Sequence, residues 1–324
     1  MSIKQIAAVL TGFLVCATAY SAPLTPMQQS AKERGIMLYN QYKNPEPELR
    51  IAAEAGDKEA QYYLAEELRQ SNQHTTLEAY KWYTAAAEQG DLYAMRRLSL
   101  LEDDLCASMG NCPKGSKSPS DWKKILITTA QPLAEAGNGE AMFIMYHVSN
   151  DLEWLVKADE AHYAYGQYLL ANLYDNGNGF FLLPWERNEK IEDLVKKSAE
   201  GGYAVSMGWH AYNLASRGLL KEARHWLKEA AKAGFVGIFS DYAIFKSKPE
   251  NRYEIPVNLI ESYGLLSLLL ELDGGGDMLP LAEKELPKIA SQMTSEQIEQ
   301  AKIFATDWKA THSPLSYFPD KLGF

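Results

Sequence analysis

Residues 79–91 read AYKWYTAAAEQGD, an alanine-rich, aromatic-studded run that stops at a glycine. Close relatives of its end recur along the chain: AEAGD at 53–57, AEAGN at 134–138, AEGGY at 199–203 and AKAGF at 231–235. Anchored on Gly56, Gly90, Gly137, Gly202 and Gly234, with a degenerate copy EAHYAYG (160–166) that puts His162 in the glycine place, the register has spacings of 34, 47, 25, 40 and 32 residues. Self-similarity at this period is the mark of a solenoid. Trp82 with Ala86, and Trp226 with Ala230, fall on one face of the helix before the glycine. The glycine then supplies the left-handed residue that ends a helix at little steric cost. Asp57, Asp91 and Asn138 follow it and are suited to cap the next helix. That helix is expected to begin at a small residue, Ala60, Ala94, Ala141, Gly166 or Ser206, so that two backbones approach closely.

The chain is 324 residues long and 46% apolar, enough for a sizeable core, and its 23% charged residues and 14 prolines do not suggest disorder. Its formal charge of −10, with no Lys/Arg-rich run, argues against a nucleic-acid-binding surface and leaves a basic protein surface as the favoured kind of partner. Residues 1–22 stand apart. Lys4 precedes an uncharged run, Ile6–Ala19, and small residues at Ala17, Ala19 and Ser21 suit signal-peptidase cleavage. The expectation is a cleaved secretory signal peptide and a mature chain in the periplasm, one unit more negative. A run of 14 is too short to cross a bilayer. A lipoprotein anchored at Cys16 is the alternative, disfavoured by the bulky Phe13, Leu14 and Val15.

Export leaves two cysteines, Cys106 and Cys112, in LCASMGNCPKG (105–115). A disulfide between them is the favoured reading and two free thiols the other; no histidine lies near enough to complete a metal site. The expected organisation is a lead-in at 23–47, a helical-repeat solenoid at 48–275 with an insertion at 103–121, and capping helices and a tail at 276–324. Within it, VNLIESYGLLSLLLEL (257–272) reads as a buried second helix of a late pair, and GGGD (274–277) as a chain break. Thr294-Ser295-Glu296-Gln297 has capping-box spacing and opens a last helix on which Ile298, Ala301, Ala305 and Trp308 share a face.

Two stretches carry a family resemblance. GQYLLANLYDNGNG (166–179) fits the first half, and residues 79–91 the second half, of the pattern A-x-x-x-L-(G/A)-x-x-Y-x-x-G-x-G followed by A-x-x-W-(Y/L)-x-x-A-A-x-x-G. The chain therefore resembles the Sel-one-like repeat (SLR) proteins, relatives of tetratricopeptide repeats, over roughly residues 48–275. Residues 68–78 lack the Gly-x-Gly turn, and the unit beginning near 141 is short. The resemblance implies an all-α fold: antiparallel helix pairs stacked into a right-handed superhelical solenoid, whose neighbours bury one another's apolar faces. Gly177 and Gly179 are read as a helix–helix turn rather than a phosphate loop, since no strand precedes them and no Lys-Ser/Thr follows.

No catalytic or metal-binding constellation is legible. His74, His147, His162, His210, His225 and His312 are dispersed, no GxSxG or HExxH occurs, and Asp175 lacks calcium-loop spacing. Glu102-Asp103-Asp104 reads as a solvated face, with contact to a basic partner as the alternative. No enzyme, cofactor or metal is expected. In tetratricopeptide-like stacks the first helix of each pair lines the concave face. Carried onto this register, that places Tyr62, Glu66, Tyr93, Arg96, Phe143, His147, Tyr165, Tyr168, Asn172 and Tyr212 at inward positions, with aromatic and arginine types that dominate protein interfaces; the alternative is that several of them pack between repeats. An exported SLR protein of this size is similar to the immunity proteins that neutralise type VI secretion phospholipase effectors. The resemblance thus implies a periplasmic binder that occludes a toxin stoichiometrically. A scaffold for a resident envelope protein is the second reading. The third is the amide-hydrolysing activity attributed to some SLR proteins, which carry a cysteine pair in nearly every repeat, unlike this chain.

Overall fold

The computed structural model describes residues 23–318 and Lys321. The expected signal peptide and Cys16 lie outside the described residues. The described chain is an all-α solenoid built of consecutive packed helix pairs. Its pairs are α1 (Pro26–Asn40) with α2 (Glu46–Glu54), α3 (Lys58–Asn72) with α4 (Leu77–Glu88), and α5 (Leu92–Ser99), which pairs with α7 (Pro119–Glu135) across the short α6 (Leu105–Met109). There follow α8 (Gly139–Ser149) with α9 (Glu153–Glu160), α10 (Ala164–Asp175) with α11 (Pro184–Glu200), α12 (Ala204–Ser216) with α13 (Leu220–Lys232), and α14 (Val236–Phe245) with α15 (Leu259–Leu268). Finally α16 (Met278–Ala290) and α17 (Ser295–Thr311) pack against α15. Among the described residues no helix is long and apolar enough to cross a membrane.

The repeated sequence acts through its turns. Gly56, Gly90, Gly137, Gly202 and Gly234 all take positive φ, between 85° and 94°, and His162 adopts 55° in the same place. Asp57, Asp91 and Asn138 accept the backbone N–H of Ala60, Ala94 and Ala141 at 2.8, 2.9 and 2.8 Å. The small residues are buried, but they sit two residues inside their helices rather than at the start. Where the helices cross closely, Ser198 Oγ donates to Ala164 O at 2.6 Å and bonds Ser206 Oγ at 2.7 Å. That polar seam lies between two apolar clusters, one running from Tyr39 to Val195 and the other from Ala211 to Trp308.

Three segments differ from expectation in detail. The lead-in holds α1, the first member of a pair, because Thr25 and Gln28 form a capping box in front of Pro26. Helix α15 starts at Leu259, where Asn258 caps it. The acidic run is only partly a solvated face. Asp104 accepts Thr75 N at 3.0 Å, Thr75 Oγ1 at 2.7 Å and Cys106 N at 2.9 Å, which pins the insertion to the stack. Cys106 and Cys112 are joined by a disulfide with 4.6 Å between their Cα atoms. The Thr294–Gln297 capping box forms as read and opens α17, whose Trp308 lies edge-on to Phe239.

The two ends of the stack meet. Tyr317 N donates to Asn40 O at 2.9 Å, Gln41 Nε2 donates to Leu315 O at 3.1 Å, and Phe318 lies between Tyr39 and Tyr42. The glycine break is part of this closure. A Cβ at Gly274 would strike the Tyr42 carbonyl, and Lys43 pairs with Asp273 at 3.0 Å.

Candidate functional site

The first helices of successive pairs bring aromatic rings into a ladder. Tyr62 of α3 meets Tyr93 of α5 at 5.9 Å between centroids. Phe143 of α8 meets Tyr165 of α10 at 4.8 Å. Tyr165 and Tyr168 then flank Tyr203 at 5.3 and 4.9 Å, and Tyr168 meets Trp209 of α12 edge-on at 6.4 Å. Tyr163 joins on the Phe143 side at 6.4 Å. Tyr163 and Tyr203 hold the positions that Asp57, Asp91 and Asn138 hold elsewhere. They give no side-chain cap and contribute a ring instead. Substitution of an aromatic for the capping residue was the available sequence signal for both.

The ten residues expected on the inner face fall into three kinds. Tyr62, Glu66, Tyr93 and Phe143 are buried and join neighbouring helices. Glu66 receives Arg97 Nε at 2.6 Å and Nη2 at 3.1 Å, Arg69 Nη2 at 2.9 Å and Tyr83 Oη at 2.7 Å. Burial alone would raise its pKa, but Arg97, then Arg69, and the Tyr83 hydroxyl hold it below the ordinary carboxylate value. Arg96, His147, Tyr165, Tyr168 and Asn172 are half-buried, in the stretch α5–α8–α10. Burial, reinforced by Arg96, pushes His147 down to about 4, so its imidazole is neutral at pH 7. Asn172 is engaged locally, its carbonyl and amide oxygens accepting from Asn176 Nδ2. Tyr212 is apart from these, exposed and covered by the Arg252 guanidinium at 5.1 Å.

The tail meets the near end of the ladder. Lys321 Nζ pairs with Asp91 Oδ2 at 2.7 Å and stands 4.8 and 4.7 Å from the centroids of Tyr62 and Tyr93. No pattern in the sequence connects two residues so far apart.

A second surface follows the Gly177–Gly179 turn, and no sequence motif marks it. Gly177 and Gly179 do make that turn, with φ of 89° and 74°. Beyond it, Phe180, Leu182, Leu183 and Trp185 are 86%, 79%, 38% and 58% exposed. The loop is braced: Arg187 donates to Tyr174 O, Asn178 O and Gly179 O at 2.7, 2.9 and 3.2 Å and covers the Phe181 ring at 4.8 Å. Phe181 in turn meets Tyr174 edge-on at 5.0 Å. Four exposed large apolar side chains on this braced loop and the first turn of α11 form an apolar patch that is unusual on a solvated surface. Among the described residues no group of three or more His, Cys, Asp or Glu could hold a metal ion.

Solved structures of Sel1-repeat proteins are among those this chain is similar to. One is the c5321 protective antigen of uropathogenic Escherichia coli strains, described as displaying an SLR fold: 17% identity, TM-score 0.48, covering 89% of this chain and 62% of that one. The chain thus spans less than two thirds of that protein. Another is a Sel1 repeat protein from Oxalobacter formigenes, at 19% identity and TM-score 0.39, covering 86% of each chain. A third is an assembly chaperone of RpL4, at 12% identity and TM-score 0.28, covering 87% of this chain and 95% of that one. No protein-family model and no curated protein matches the chain.

Proposed function

We propose that this chain is an exported protein-binding module of the SLR kind, and that it neutralises a secreted phospholipase of a type VI secretion system by stoichiometric occlusion in the periplasm. The braced apolar loop carries the reading. A protruding set of Phe180, Leu182 and Trp185 fits a concave apolar site, and an enzyme that handles acyl chains offers one. Because Arg187 holds the loop in place, little conformational entropy is lost when it docks. The half-buried inner-face side chains, Arg96, Tyr168 and Trp209 among them, offer further polar and aromatic contact area. A specific complex needs about 1,200–2,000 Å² of buried surface in total. The Cys106–Cys112 disulfide supports an oxidising compartment. Acidic side chains beside the loop, Glu186 and Glu189, favour a protein surface over an anionic lipid one.

The test is inhibition of the phospholipase encoded beside this gene by the purified chain. Wild type is expected to abolish lipid hydrolysis at a one-to-one ratio. The double variant Phe180→Asp/Trp185→Asp is expected to weaken inhibition by about 100-fold, the loss of two anchoring aromatics, with unchanged circular dichroism. Equal inhibition by the variant removes the loop from the mechanism. Capture of a resident envelope protein with no effect on any lipase moves the assignment to a scaffold.

A further inference from the structure

We infer that Tyr62, Tyr93 and Asp91 form a pocket for a lysine side chain, that Lys321 of the chain's own tail is its resident occupant, and that a lysine-bearing segment of a protein partner binds by taking Lys321's place. The inference rests on the protein-binding reading above and names the chemistry of that partner.

The pocket is built by the stack and filled by the terminus. Asp91 is 3% exposed, Tyr62 0% and Tyr93 4%. Asp91 divides its two oxygens: Oδ1 accepts the backbone N–H of Ala94 at 2.9 Å, and Oδ2 accepts the Lys321 ammonium at 2.7 Å. Two ring faces less than 5 Å from the same ammonium complete a cation-binding box from three directions. The occupant's backbone is read as well, since Tyr62 Oη donates to Lys321 O at 3.4 Å. Nothing about helix stacking requires this arrangement, as the equivalent turns show. In the preceding unit the spare oxygen of Asp57 is served by Lys32 of α1, 3.0 Å away and inside the stack. In the following unit the capping residue is Asn138, which carries no charge. Only at Asp91 does the spare carboxylate oxygen of a repeat cap depend on a residue of the far terminus.

The tail is anchored short of that point. Ser316 exchanges backbone bonds with Gly234 and Val236, Tyr317 with Asn40, and Phe318 seats between Tyr39 and Tyr42. Lys321, three residues further on, therefore occupies its pocket as a tethered ligand. A tether this short gives a local concentration on the order of millimolar. An incoming lysine must outcompete it, so removing the Lys321 side chain raises the affinity of the competitor.

The experiment is calorimetric titration of an acetylated peptide with the sequence of residues 319–324, PDKLGF, into the full chain and into Lys321→Ala. The largely buried lysine side chain, 20% exposed, is removed without changing the anchors at 316–318. At least about tenfold tighter binding to Lys321→Ala than to the wild type is expected, from loss of the tethered competitor. The gain should vanish when the peptide's lysine is replaced by alanine. It should vanish also in Lys321→Ala/Asp91→Asn, which keeps a helix cap but removes the charge. Equal affinity for wild type and Lys321→Ala, no binding to either, or full binding of the alanine peptide overturns the pocket. If the peptide behaves as expected while no phospholipase is bound, the pocket stands and the toxin assignment falls. If the lipase is inhibited but the peptide shows no preference, only the pocket falls.

Discussion

Glu66 shows how a single residue can look like a surface contact and turn out to hold the stack together. At a position that faces inward on its helix it meets two arginines, of which Arg97 lies on the next pair. An uncompensated pair of largely buried arginines is expensive, so Glu66→Gln is expected to cost about 3 kcal/mol in urea-induced unfolding. The pH dependence follows from the depressed pKa. The carboxylate contributes stability above its unfolded value of 4.5, and that contribution is lost as pH falls through the lower folded value. Glu66→Gln should therefore flatten the acid limb of the stability curve between pH 5 and 2, on the order of the range set by a native ion-paired carboxylate. An acid limb unchanged in the variant would contradict this role. Arg96, one residue before Arg97, has no such anchor: none of the described residues forms an ion pair with it, while burial, then Arg97, lowers its pKa. The two arginines are alike in sequence, and only their directions separate the one that pairs with Glu66 from the one that does not.

The repeat is decided by turns and caps at the level of the helix pair. Gly90 and Gly234 share nearly the same φ, 86° and 85°, but not the same surroundings. A Cβ at Gly90 would meet nothing within 4 Å, whereas one at Gly234 would strike the Pro314 carbonyl of the returning tail. Gly90→Ala is thus expected to cost about 1 kcal/mol for the left-handed conformation alone. Gly234→Ala should cost clearly more and should also loosen the tail, read as greater hydrogen exchange at Ser316. Equal costs would mean that the tail does not press on this turn. The aromatic caps follow the same logic. Tyr163 and Tyr203 forgo a cap worth roughly 1 kcal/mol and join the ladder of rings instead. Glycines, Asp caps and the Thr294 box were legible because each acts within three or four residues. The braced loop at 180–185 was not, because Arg187 organises it by reaching back to three carbonyls that no short motif specifies.

The described molecule is a stack in which residues 315–318 return to the first pair. Phe318 is the keystone of that return, so Phe318→Ala is expected to lower stability by about 2 kcal/mol, the order expected for a partly buried ring. The effect should reach both ends: hydrogen-exchange protection should fall in α1 near Asn40 and at the Phe235–Ser316 bridge together. A loss confined to the tail would show that the ends are not coupled. The amino-acid sequence by itself determined the helix pairs, their turns, their capping residues and the all-α solenoid. Each of these depends on φ preferences, hydrogen bonds and apolar spacing within one or two turns of helix. Only the tertiary structure decided which inward residues are consumed by neighbouring pairs, that the two ends of the stack meet, and that Lys321 lies against an aspartate 230 positions away. Those contacts depend on the rotation accumulated over many stacked pairs, a sum of small angles that no local stretch of sequence encodes.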